Sequence, residues 1–190
     1  MHALFFEFRP KPGHLAHYFD HVARLRPVLA DHTGLKFLER YCALSDSDLL
    51  LSHQLWESEN AIIDWRNDAT HRRSQSAGRQ VHFADYRIRV GAMVLHWTQE
   101  YQDAPTNTAQ VCDLSHVVAL YSTEIVAAPA FTAFESVNTK GKHIALTTTD
   151  DYTAARALLD QCLGAPNLVE AAIYSIHRDY GQFDRKQAPM

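Results

Sequence analysis

The chain has 190 residues, 46% of them hydrophobic and 21% charged, with a formal charge of -4. That is an ordinary globular composition, long enough for one large domain or two small ones, since domains usually run roughly 100 to 150 residues. No apolar run approaches the roughly 20 residues that cross a bilayer, no basic-then-apolar leader opens the chain, and Arg72, Arg73 and Arg79 are too sparse for a basic stripe. The expectation is therefore a cytoplasmic protein with no membrane or nucleic-acid partner. Cys42, Cys112 and Cys162 are odd in number, widely spaced and lack a C-x-x-C pattern, so they read as packing thiols rather than as a disulfide framework or a cysteine metal site.

Ala3 to Arg9 is short and aromatic, and Pro10, Pro12 and Gly13 punctuate it, so it reads as a buried strand ending in a turn. From His14 to Ala30 the apolar residues Leu15, Phe19, Val22, Leu25 and Leu29 recur at helical spacing, with Pro27 expected to kink the last turn. Leu35 to Tyr41 and Leu49 to Trp56 read as strands joined by a turn at Ser45 to Asp48. Ser58 is a plausible N-cap for a helix carrying Ala61, Ile62 and Trp65. Thr70 is expected to cap a further helical segment ending at Gly78, a residue suited to the left-handed conformation past a helix end. Val81 to Trp97 then alternates Tyr86, Ile88 and Val90 against Asp85, Arg87 and Arg89, as a strand does.

The order β-α-β-β-α-β is the split βαβ, ferredoxin-like α+β arrangement, with two helices over one face of a four-stranded antiparallel sheet. Strands apolar on both sides require the other face to be covered as well, which predicts a partner sheet. The polar stretch 100–109 reads as a linker between a domain at 1–100 and a second one at 110–190. The second half partly echoes the first. His116 to Ser122, a strand at Phe134-Glu-Ser-Val, His143 to Thr147, a capped helix over Asp150 to Leu163 with Ala154, Ala155, Leu158 and Leu159 as its apolar face, and Leu168 to His177 follow in order. The chain between its first two strands is too short for a helical crossover, so this copy lacks the first helix.

Phe6-Glu-Phe-Arg-Pro-Lys-Pro-Gly13, Leu50-Leu-Ser-His-Gln-Leu-Trp-Glu57, Ala61-Ile-Ile-Asp-Trp-Arg-Asn67 with His71-Arg-Arg-Ser-Gln75, and Phe83-Ala-Asp-Tyr-Arg-Ile-Arg-Val90 together resemble the antibiotic biosynthesis monooxygenase (ABM) family over the first half of the chain. The resemblance implies a dimeric α+β barrel, made when two four-stranded sheets pack face to face, with the partner sheet supplied by a homodimer or by the second half of the same chain. It implies a monooxygenase that oxidises a small aromatic or phenolic compound with no cofactor expected. Haem binding or degradation is the alternative, and a non-catalytic ligand-binding or assembly module is a further one.

Oxidation driven by the substrate's own phenolate needs a dry aromatic pocket and a donor that stabilises an anion. By resemblance, Trp65 and Asn60 are expected to bind substrate, and His71 and Arg87 to act catalytically. Each has a plainer reading: Trp65 as core, Asn60 and His71 as solvated residues, and Arg87 as part of a salt-bridge ladder with Asp85 and Arg89. For haem, the resemblance places an axial histidine where this chain has Gln75 and an asparagine on the first strand where it has Glu7 or Phe8. That triad is out of register, which leaves His71 or His82 as possible iron ligands. His14, His17 and His21 share a helical face at metal-binding spacing, although a solvated face explains them and no metal is expected.

Overall fold

The structure, a computed structural model, describes residues 1–100, 114–126 and 128–189. The first half contains β1 (His2–Pro10), α1 (Leu15–Ala30), β2 (Leu35–Ala43), β3 (Asp46–Trp56), α2 (Glu59–Asn67), α3 (Ala69–Ala77), a π-helical turn (Gly78–His82) and β4 (Phe83–Thr98). The second contains β5 (His116–Ser122), β6 (Thr132–Ser136), β7 (His143–Thr149), α4 (Tyr152–Cys162) and β8 (Leu168–Gly181). The linker expected at 100–109 and the second domain's start at 110 lie, apart from Glu100, outside the described residues, as does Cys112. Cys42 and Cys162 are free and half-buried thiols. No described helix is long and apolar enough to cross a membrane.

In each half the sheet order is the split βαβ one. β1 lies between β3 and β4, with β2 outside β3, and β5 lies between β7 and β8, with β6 outside β7. The two sheets then join edge to edge, β4 to β8 and β2 to β6, to close one antiparallel barrel. The inner face predicted to need a partner therefore finds it within this chain. Phe5, Tyr41, Leu51, Phe134, Ile144 and Tyr174 fill the barrel and are fully buried. Closure also removes the exposed edges that antiparallel sheets otherwise have to protect.

The seam between β4 and β8 depends on local backbone geometry. A Cβ on Gly91 would lie 2.6 Å from the carbonyl oxygen of Ser175, so only glycine lets the strands approach there. Beside it the register shifts, with Val90 opposite Arg178 and Gly91 opposite Ile176. His177 is thereby the extra residue of a bulge, a device that re-aims a side chain.

The outer faces carry the helices. On α1 the buried stripe is Tyr18, Val22, Leu25 and Leu29, whereas Leu15 and Phe19 are exposed. The apolar periodicity was thus real but its first two members belong to the solvent side, because Tyr18 packs on Phe8 at 4.4 Å between ring centroids and sets the helix rotation. Pro27 sits inside a continuous α1. The hairpin turn is Leu44 and Ser45, shorter than the acidic stretch proposed for it, since Asp46 already pairs with Ala43.

Ser58 caps α2 as expected, accepting from the Ala61 N–H at 3.2 Å. α3, however, is capped by Asp68 and not by Thr70. The Asp68 Oδ1 accepts from the backbone N–H of Thr70 and of His71, both at 2.8 Å. Gly78 is right-handed, with φ of -55°. Its value is room: a Cβ there would meet the Phe83 ring at 2.5 Å. On α4 the buried face is Ala155 and Leu159, with Ala154 exposed, so the inward stripe runs one residue round from the expected one.

Candidate active site

Between the outer face of the first sheet and helices α2 and α3 lies a cleft of about 420 Å³, within the usual range of small-molecule sites. Its floor is apolar: Leu4 and Phe6 of β1, and Ile88 and Val90 of β4, with Tyr86 beside them. Strand alternation puts these residues outward while their neighbours fill the barrel. Ile62, Ile63 and Trp65 of α2 form the opposite wall, followed by His71 and Gln75 of α3.

Trp65 and His71 are brought together by the break between the two helices. Asp68, at φ -56° and ψ 132°, ends α2 and starts α3, and this turns His71 back over the preceding helix. The rings stack at 4.0 Å between centroids and 14° between planes. The His71 Nδ1 lies 2.9 Å from the Trp65 carbonyl oxygen, which can only accept, so Nδ1 carries the proton and Nε2 the lone pair. The Gln75 amide nitrogen is 3.4 Å from Nε2. Burial pushes the His71 imidazole down to about 4, so it is neutral at pH 7.

The rim is cationic. Arg66, Arg72, Arg79, Arg178 and Arg185 line the cleft, and Glu59 is the acid among its lining residues. Arg66 donates to the Pro189 carbonyl at 2.6 Å, and Arg185 donates to the Tyr86 hydroxyl at 2.8 Å, so the C-terminal segment closes one side. These arginines escaped the sequence reading. Arg72 and Arg79 looked too sparse for a basic patch, and Arg178 and Arg185 reach the cleft only through the barrel seam.

Asn60 and Arg87 do not join this site. Asn60 is an exposed first-turn residue of α2. Arg87 faces away from the Tyr86, Ile88 and Val90 side of β4, and forms a two-point ion pair with Asp179 of β8, its Nε 2.9 Å from Oδ1. Its neighbour Arg89 is not a surface rung either. It is 3% exposed, and inside the barrel it pairs with Glu7 and donates to the Thr148 hydroxyl at 2.6 Å. Beside it, the His53 Nε2 is 2.7 Å from the Tyr121 hydroxyl, and burial holds His53 down at about 3. His82 lies away from the cleft: its Nδ1 is 3.0 Å from the His14 Nδ1, and its ring neighbours His17 and His21. A second cavity of about 400 Å³ opens at one end of the barrel, near Phe37, Tyr121, Lys142 and Glu170.

Residues 1–77 match the family model described as antibiotic biosynthesis monooxygenase. Over this segment the chain is similar to ABM domains. Within the matched segment lie Trp65, His71, Gln75 and two of the rim arginines, while β4, Arg79, Arg178 and Arg185 lie beyond it. "Jasmonate monooxygenase ABM" of Pyricularia oryzae is 38% identical over 91 residues, which are 48% of this chain and 42% of that protein. The chain thus spans less than half the length of this curated relative. Among solved structures, a candidate monooxygenase from Fusobacterium nucleatum subsp. nucleatum aligns over 94% of this chain and 93% of its own, at TM-score 0.46 and 8% identity. One from Lactobacillus acidophilus aligns over 92% of each chain, at 0.47 and 4%.

Proposed function

We propose that this protein is a cofactor-independent monooxygenase that oxidises a small aromatic or phenolic compound carrying an anionic group, bound in the cleft under α2 and α3. The stacked Trp65–His71 pair beneath an arginine rim carries the reading. An apolar floor takes a ring system, and a cationic rim holds an anion and favours ionisation of a nearby hydroxyl. The ABM relative is named for an anion, jasmonate, which fits the same rim.

In this reading a phenol and O2 give a quinone and water. The oxidised ring carbon gains one oxygen atom, and the ring and hydroxyl hydrogens leave with the other, so the substrate supplies the electrons. His71 accepts the substrate hydroxyl's hydrogen bond at Nε2. With its imidazole held down at about 4 it stores no proton, and the proton passes to solvent. Arg72, Arg79 and Arg185 stabilise the negative charge on substrate and oxygen. Trp65 walls the ring and keeps water out.

Oxygen uptake with a panel of phenols and anthrone-type compounds, each with and without a carboxylate, tests the reading. Uptake is expected for carboxylated members. His71→Ala should cut turnover by roughly 100-fold, and R72Q with R79Q should raise KM for the carboxylated compounds more than for the neutral ones. Saturable binding with no oxygen uptake would leave a ligand-binding module. A Soret shift on adding hemin, with turnover only in its presence, would replace the cofactor-free reading with a haem one.

A further inference from the structure

Beyond the cleft's floor, three ligating side chains from distant parts of the chain converge: His2 at the start of β1, Glu59 at the first residue of α2, and His177 at the bulge of β8. Their ligating atoms lie within 4.8 Å of one another, and they form the one such group among the described residues. We propose that His2, Glu59 and His177 bind a divalent first-row transition-metal ion at the edge of the cleft.

Of the three, the His2 Nδ1 is buried with no hydrogen-bond partner, while the Glu59 carboxylate and the His177 Nε2 are ion-paired, with Arg178 and with each other. A buried polar atom without a partner, as at His2, is costly and calls for an explanation, and a bound ion is one. The His177 Nε2 lies 3.3 Å from the Glu59 carboxylate. Metal bonds of roughly 2.0 to 2.2 Å set ligand atoms a little over 3 Å apart, so small side-chain rotations suffice.

Two imidazoles and one carboxylate are the donor set of zinc hydrolases and of non-haem iron(II) sites, and both leave coordination positions open. The backbone is shaped for it. His177 is the residue that the β4–β8 register shift leaves unpaired, and the bulge aims it at Glu59 rather than into the ladder.

The groups facing the site also set its limits. The Arg178 guanidinium is 2.5 Å from Glu59 Oε1 and competes with an ion for it. Burial, and after it the N-terminal ammonium, holds the His2 imidazole down. Arg178 also lines the cleft, so an ion that takes Glu59 frees this guanidinium toward the cleft.

Titration of the chelator-treated full chain with Co2+ and Zn2+, read by cobalt absorption and calorimetry, tests the site without any turnover. One ion per chain is expected. His177→Ala and Glu59→Gln, each with an unchanged circular dichroism spectrum, should weaken it by at least about tenfold, and Arg178→Gln should tighten it. His82→Ala disrupts the separate group of His14, His17, His21 and His82 and should leave binding intact. Binding that survives both E59Q and H177A, that disappears in H82A, or that is absent in the wild type overturns the proposal. If H177A fails to fold, E59Q decides alone. None of these outcomes bears on oxygen uptake, so the proposed monooxygenase activity stands or falls separately.

Discussion

The two halves of the barrel share a sheet order and differ in what covers it. Over the first, α1, α2 and α3 stand off enough to leave the cleft between an apolar floor and the Trp65–His71 wall. Over the second, α4 is the one helix among the described residues and lies flush, with Ala155 and Leu159 buried against Val118, Leu120 and Ile173. The stretch between β5 and β6 has no described helix in place of α1. Four antiparallel strands therefore supply a platform, and the site comes from the cover. The second half spends its outer face on packing and its inner face on closing the barrel, so it acts as a built-in partner sheet.

The largest expected effect tests whether the halves are one cooperative unit. Leu159→Ala removes a fully buried side chain from the second half and should cost about 3 kcal/mol. Because β4–β8 and β2–β6 join the sheets, urea unfolding followed at the tryptophans, all three of which lie in the first half, should move with the far-UV signal in one transition. Two separated transitions, with the first half still folded, would make the halves independent and break the comparison.

The next effect sets the barrel interior against the cleft. His53 sits inside the barrel and His71 in the cleft, and burial depresses both, to about 3 and about 4. A depressed folded-state value means that the unfolded chain takes up protons first as pH falls. The stability is complete above about pH 6.5 and is lost progressively toward pH 4 for His71 and pH 3 for His53. Between pH 7 and pH 5 each should cost roughly 2 kcal/mol. H71Q should remove its own share, roughly 2 kcal/mol, of the loss measured by denaturation at the two pH values. A protein equally stable at both would mean that neither imidazole is held neutral.

Element order was legible because strand and helix periodicities differ and Gly, Pro and Ser58 mark their boundaries. The need for a partner sheet was legible too, since strands apolar on both faces cannot stay half-exposed. What the sequence hid depends on distant chain. Alternation along β4 made Arg87 and Arg89 look equivalent, yet Arg87 is half-exposed where it meets Asp179 of β8, and Arg89 is buried where it meets Glu7 of β1. Trp65 and His71 could be nominated from the sequence. Their stacking could not, because it depends on the backbone at Asp68, which caps α3 in place of the expected Thr70 and turns His71 back over α2. Arg178, Arg185 and His177 carried no local signal at all, since only the seam between the halves brings β8 to the cleft.

A smaller effect concerns how tightly the first half's cover is fitted. Gly78→Ala places a methyl against the buried Phe83 ring, which packs with Phe8 at 5.1 Å and lines the cleft. About 1 to 2 kcal/mol of stability should be lost, with a measurable drop in cleft affinity for a carboxylated phenol. Loss of stability with affinity unchanged would mean that the Phe83 ring gives way on its buried side only.

The smallest effect is expected at Arg87, and it separates the seam from the site. The pair with Asp179 joins the two halves across β4 and β8, but the arginine side chain is 48% exposed. Exposed pairs contribute about 0 to 1 kcal/mol because water and salt already screen them. Arg87→Ala should therefore shift stability by less than about 1 kcal/mol, and the shift should shrink further in high salt. Turnover and KM should be unchanged, because the guanidinium lies on the side of β4 opposite the cleft floor. A large fall in turnover with normal stability would instead place Arg87 in the chemistry. The site would then have to reach through the β4–β8 seam, and the second half would be more than a partner sheet.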